Sequence, residues 1–339
     1  MNKVVPEKRL KSCVSLAYHQ EQSREVAKLW QDVIDGKNYP WLRIVEIPTL
    51  LSLTRKHTYL HLAAQHNQID MFKVILDSEP DKNLVNGDGY TPFLWSCLFG
   101  SVNIVELLLK KSDELEIDLS RKSRFGSTAF HLACISGKSE LAELIMKNCR
   151  KLKIDLNEMD EYSKTGFVYA CEYGHLEIVK MLMNNCESMM TDLSLKTENF
   201  TTGFHFACVQ GRTNIVEILI DKSELCKLEL GAKDSSGCTG FHFACRFGYT
   251  RIVKMLIDHS EFCKLDLGAK DSSGYTGFHF ACHFGNTYIV EMLLDVSESL
   301  NLDLTAKTDR GSTGYQLAVI MKELDVIDVI KYKMPSLIV

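Results

Sequence analysis

One threonine recurs at Thr91, Thr128, Thr165, Thr202, Thr239, Thr276 and Thr313, each 37 residues after the last, and Thr58 precedes the series by 33. No other feature constrains the fold as strongly. A chain that repeats itself every few dozen residues builds an array of similar units, each resting on its neighbours, rather than one globular core. Two adjacent units, 221–257 and 258–294, differ at 9 of 37 positions. One structural unit has been copied along the chain.

Within a unit the residue order reads as helix, turn, helix, hairpin. Thr276 suits an N-cap that accepts from the first free N–H groups of a helix, and His279, three residues on, can reach back to it. Phe278, Phe280, Ala281 and Cys282 supply apolar contacts, and Gly285 falls where a helix-ending residue needs positive φ. Ile289, Val290, Met292 and Leu293 mark the apolar stripe of a second helix. The stretch "LDLTAKTDRGS" (302–312) then suits a hairpin that projects from the helix pair. Two helices this short cannot bury their own apolar face, so stacking of unit on unit must supply the core.

The stretches "DGYTPFLWSCLFGSVNIVELLL" (88–109) and "GSTAFHLACISGKSELAELIM" (126–146) resemble ankyrin repeats, and the resemblance runs from about Arg55 to Lys331 in eight copies. It implies an all-α solenoid of stacked, curved ankyrin repeats, with partners docking on the concave side. The expected organisation is an N-terminal helical capping region (1–54), the repeat domain (55–331) and a C-terminal tail (332–339). Val26, Leu29, Trp30, Val33 and Ile34, ended by Gly36, predict the capping helix, and residues 37–54 are apolar enough to continue it. In the first unit Asn67 stands for the helix-ending Gly. In the last, Gln316, Val319 and Lys322 stand for His, Cys and Gly, as suits units with one neighbour.

The chain also departs from the family pattern. Gly replaces the usual Pro after the Thr at Gly166, Gly203, Gly240, Gly277 and Gly314, which predicts a weaker helix start. Nine of the sixteen phenylalanines fall in two columns of the first helix, Phe241 and Phe243 among them. An aromatic core between repeats is the expected compensation.

Few residues suggest catalysis. Six cysteines form a column, Cys97, Cys134, Cys171, Cys208, Cys245 and Cys282, and read as small buried groups. Equivalent atoms of stacked helices lie about 8–10 Å apart, too far for disulfides, which need Cα atoms within about 7 Å. Redox sensitivity is reserved for loop cysteines such as Cys226 and Cys263. The histidine column, His61, His131, His205, His242 and His279, offers one ring per repeat, which cannot surround a zinc ion. "ISGKS" (135–139) lacks the first glycine of a phosphate loop. The sequence therefore predicts no enzyme and no cofactor. It has no apolar run long enough for a secretory leader or a membrane span, and the expectation is a cytoplasmic protein without membrane insertion, the nucleus left open.

Function should then lie in what varies between units. The resemblance places the two residues before the helix-ending Gly, and the hairpin tips, on the partner-binding side. Phe99, Tyr173, Phe247 and Phe284 share one column there, with Gln210, Arg246 and His283 beside them and Tyr275 at a tip. Exposed aromatics anchor interfaces, although the same rings could fold onto the neighbouring helix. Lys233 and Lys270, in a column with Lys122, Lys196 and Lys307, are either solvated lysines or a rail for an acidic partner. The leading expectation is a non-catalytic adaptor or inhibitor that binds a protein partner. Open alternatives are a small-molecule or nucleic-acid sensor using the same groove, the latter by lysine rail and stacking aromatics, and a structural spacer. The net charge of −5 gives no global drive toward nucleic acid. The apolar end "PSLIV" either packs on the last repeat or could add to a PDZ-type groove.

Overall fold

The computed structural model describes residues 45–46, 56–78 and 81–338, and the predicted capping helix at Val26–Ile34 lies outside them. The chain divides into two compact units, residues 1–161 and 162–339.

In the first unit three helix pairs follow one another: Tyr59–Gln65 with Ile69–Ser78, Pro92–Leu98 with Val102–Lys111, and Ala129–Ser136 with Ser139–Lys147. A two-residue antiparallel pair, Val45–Glu46 against Lys56–His57, leads into them. First helices pack on first helices and second helices on second helices, burying Phe93, Phe130, Ile104, Leu108, Leu141 and Ile145 almost completely.

The second unit repeats the pattern five times: Gly166–Tyr173 with Leu176–Asn185, Gly203–Val209 with Thr213–Asp221, Gly240–Phe247 with Thr250–Asp258, Gly277–His283 with Thr287–Val296, and Gly314–Met321 with Leu324–Lys333. A short 3-10 turn, Pro335–Leu337, folds against the last helix and buries Leu337. Repeats are numbered below from the threonine that opens each, so that Thr58 opens repeat 1 and Thr313 repeat 8.

Each first helix starts as its sequence predicts. Thr276 accepts from the N–H of His279 while His279 Nδ1 accepts from the N–H of Thr276 at 3.1 Å, a complete capping box. Gln316 supplies the same return bond in repeat 8, its Oε1 accepting from Thr313 N–H at 3.0 Å. Left-handed residues end these helices. Gly285 has φ of 68°, and Asn67 (51°) and Lys322 (65°) occupy the same conformation without the freedom of glycine.

The glycine that follows each threonine in repeats 5 to 8 has a steric cause. A Cβ on Gly203, Gly240, Gly277 or Gly314 would stand 2.9, 2.5, 2.4 or 2.6 Å from Cε1 of Phe167, Phe204, Phe241 or Phe278 in the preceding repeat. At these four junctions the ring occupies the space that the Cβ of a proline or alanine would need. These four phenylalanines are buried, whereas the second column, Phe206, Phe243 and Phe280, is only half-buried and faces the surface. The aromatic core between repeats is therefore one column deep, because residues two positions after the threonine point between repeats while those two further on point toward the tips.

The predicted hairpins close as tight turns without a strand ladder in their arms. Asp271 N–H donates to Tyr275 O at 2.8 Å, and the Asp271 carboxylate accepts from the N–H groups of Ser273 and Tyr275. Neighbouring tips are then joined by single backbone bonds, Ser272 N–H to Ser236 O at 2.9 Å and Asp309 N–H to Ser273 O at 3.0 Å. Arg124 N–H bonds Asp88 O in the same way in the first unit.

Candidate interaction surface

Two columns that looked chemical are structural. His205, His242 and His279 are buried, and in each ring Nδ1 accepts the threonine N–H of its own repeat. Nδ1 therefore carries no proton, and Nε2–H donates across to the next tip: His205 to Cys238 O at 3.2 Å, His242 to Ala269 O at 2.9 Å and to Tyr275 O at 3.2 Å, and His279 to Ala306 O at 3.0 Å. Each imidazole thus caps one repeat and ties it to the next, with both nitrogens engaged. Burial holds all three below the ordinary histidine range. The cysteine column is buried in both units, and burial pushes the thiols of Cys97, Cys134, Cys208, Cys245 and Cys282 far up. All cysteines among the described residues are free thiols.

The helix ends behave differently. Phe99, Tyr173, Phe247 and Phe284 are 43–48% exposed, although each terminates a helix whose other aromatic residues are buried or half-buried. In the first unit Phe99 lies 4.9 Å from the buried Trp95 ring, and Tyr90 lies 5.4 Å from the same ring. In the second, Tyr173 stacks on Tyr169 at 6.2 Å, and burial together with the adjacent Glu172 carboxylate pushes its phenol up.

Repeats 6 and 7 concentrate the rest. The Arg246 guanidinium stands 5.3 Å from the Phe284 ring, 5.6 Å from Phe247 and 5.9 Å from Phe280, within the range of cation–π attraction. Phe280 and Phe284 stack at 6.5 Å, His283 meets Phe284 edge-on at 4.7 Å, and Tyr275 closes the group against Phe280 at 5.2 Å. Five of the residues singled out in the sequence, Arg246, Phe247, Tyr275, His283 and Phe284, are thus one cluster. Arg246, Phe247 and Phe284 are exposed and Tyr275 and His283 half-buried, with His283 Nδ1 buried and without a hydrogen bond. Arg246 forms no ion pair among the described residues. Gln210, the exposed C-cap of the first helix of repeat 5, lies one repeat away.

The lysine column is partly engaged along the tips. Lys233 Nζ donates to Lys270 O at 2.9 Å and Lys270 Nζ to Lys307 O at 3.1 Å. Lys196 pairs with Glu229 at 2.9 Å and Lys122 with Glu158.

Sequence reading missed two participants. Phe280 belonged to an apolar column and only its depth reveals it as part of the surface. Lys164 sits in a tip, pairs with Glu172 at 2.6 Å with both side chains four-fifths buried, and lies 4.4 Å from the Phe206 ring. The signal available was that the tip lysine and the helix-end glutamate occur in the same repeat.

A family model described as ankyrin repeats matches residues 46–119, 114–192 and 167–271, and a single ankyrin repeat matches 273–305, together more than half of the chain. A protein of Rickettsia bellii (strain RML369-C) described as an ankyrin repeat protein is 41% identical over 59 residues, 17% of this chain and 10% of that protein. One of Rickettsia felis (strain ATCC VR-1525 / URRWXCal2), described likewise, is 43% identical over 58 residues, 17% of this chain and 15% of that protein. The chain thus aligns with a small fraction of either relative's length. Ankyrin repeats are in general protein–protein interaction modules and non-catalytic. No helix among the described residues is long and apolar enough to cross a membrane.

Proposed function

The chain belongs to the ankyrin-repeat family, and from that premise we propose that it is a protein-binding adaptor or inhibitor that grips its partner chiefly through repeats 6 and 7. One observation carries the reading: two exposed rings, the half-buried Phe280 and a guanidinium without an ion pair among the described residues are held together by the ends of two rigid, stacked helices. Aromatic and arginine side chains of this kind supply most of the energy at interfaces. Their backbone is fixed before binding, which limits the conformational entropy lost on association. Arg246 wants a carboxylate, so the partner presents an acidic side chain flanked by apolar surface. Tyr173, Gln210 and the tips at Lys233 and Lys270 extend the contact along the second unit, and Phe99 offers a separate anchor in the first. The reading sets the protein in the cytoplasm or nucleus.

The test compares proteins retained from a cell extract by the native chain and by Arg246→Ala/Phe247→Ala/Phe284→Ala. These side chains are exposed, so the far-ultraviolet spectrum and the denaturation midpoint should hold. Loss of the bound set with folding intact is the expected result. An unchanged bound set on a folded variant rules out this surface.

A further inference from the structure

Residue 186 caps the second helix of repeat 4, and residue 226 lies in the turn after the second helix of repeat 5. They are 40 residues apart, not 37, so they are not equivalent positions of two repeats. That offset carries the turn of one repeat back over the helix end of the one before it. Stacking distance keeps the cysteine column apart but does not apply here, and Cys186 Sγ lies 3.8 Å from Cys226 Sγ. Along the chain the same pair of positions reads Ser112/Leu152, Cys149/Met189, Cys186/Cys226, Ser223/Cys263 and Ser260/Leu300. The same contact recurs one junction later, where Ser223 bonds Cys263. Cysteine stands at both positions only once.

We propose that Cys186 and Cys226 form a reversible disulfide on reaction with a hydroperoxide, clamping repeat 4 to repeat 5. Cys186 is half-exposed and Cys226 is buried beside it, which fixes the order of events. The Cys186 thiolate attacks the peroxide, an S–O bond forms as the O–O bond breaks, and the departing oxygen leaves as water or alcohol with the thiol proton. Cys226 sulfur then attacks the sulfenic sulfur, the S–S bond forms, the S–O bond breaks, and hydroxide leaves as water with the Cys226 proton. The two thiols together give up two electrons and the peroxide accepts them.

The resting environment makes Cys226 the second thiol to react. Burial first, and the neighbouring Cys186 second, push the Cys226 thiol up to about 12, with Glu187 adding to them and Lys222 opposing, so the more exposed Cys186 meets the peroxide first. The sulfurs must close from 3.8 Å to about 2.05 Å. Both belong to chain just outside a helix, a cap and a turn, where side-chain rotation disturbs no helix interior.

The experiment treats the native full chain with hydrogen peroxide, followed by intact mass and peptide mapping under conditions that block thiol exchange. The expected product has lost two hydrogen atoms, links Cys186 to Cys226, is restored by dithiothreitol, and has a higher denaturant midpoint than the reduced chain. In Cys226→Ser, Cys186 should stop at a sulfenic acid that dimedone traps, and Cys186→Ser should give no link. Cys186 running on to sulfinic acid in the native chain without a link, or linkage to Cys226 at no higher yield than to other cysteines, overturns the proposal.

Discussion

Replacing Gly277 by alanine should destabilise the protein, against what helix propensity alone predicts. Alanine in a helix is favoured over glycine by up to about 1 kcal/mol, less at the first position. The new methyl would stand 2.4 Å from Cε1 and 2.8 Å from Cδ1 of Phe241, and 3.0 Å from Cys245 Sγ. That ring is buried in a close-packed column, and overpacking of this kind costs about 1–3 kcal/mol. The net expectation is a loss of about 1 kcal/mol. Urea denaturation of Gly277→Ala, Phe241→Leu and the double variant gives the cycle. Leucine removes the ring edge, so the two substitutions should couple favourably by about 1–2 kcal/mol, as contacting residues do. The chain contains its own precedent at the junction where Leu60 precedes Pro92. A stabilised Gly277→Ala, or a coupling indistinguishable from zero, would refute the argument that the ring dictates the glycine. Phe93 preceding Ala129 sets an upper bound on the cost, since both are buried there and the chain holds a methyl behind a ring at that junction.

His242→Ala removes the return bond of a capping box and leaves the Ala269 and Tyr275 carbonyls without their donor; the denaturation midpoint should fall by the equivalent of about 3 kcal/mol. His242→Gln should lose roughly half of that, because Gln316 already performs the capping part in repeat 8. Stability should fall as the pH drops from about 7 to 5. His205, His242 and His279 are held below their ordinary range when folded, so the unfolded chain takes up protons first, from about pH 6.5 downward. Their stabilisation is complete above that value and is lost as the pH falls toward the folded pKa values, with a slope of at most about 4 kcal/mol per pH unit for three protons. The triple His→Gln variant should flatten the slope, and an unchanged slope would move its origin to other groups, among them His66, which burial also holds low. A disulfide reagent such as DTNB should label Cys186 in the folded chain and reach Cys97, Cys208, Cys245 and Cys282 only on opening, since these are buried with thiols pushed far up; their fast labelling would contradict the buried column.

The sequence determined the periodic part of the molecule, because a property shared by every unit must arise from interactions shared by every unit. The threonine register fixed where each first helix begins, and the recurring His and Cys were readable as cap and core on that ground alone. Position φ was legible too: Asn67 and Lys322 replace glycine and still adopt the left-handed conformation. What the repeat could not specify was depth and offset. Phe278 and Phe280 are two residues apart in one helix, yet the first is core and the second is surface beneath Arg246, a difference set by where the neighbouring repeat stops. The glycine after the threonine reads in sequence as a weak helix start, and only the stack shows the ring one repeat away that takes the space of a side chain there. Cys186 and Cys226 were indistinguishable from other loop cysteines until the stack brought positions 40 residues apart into contact. A register describes each unit from within, whereas contact between unequal positions depends on how far one unit is translated and rotated onto the next, and only the tertiary structure decides that.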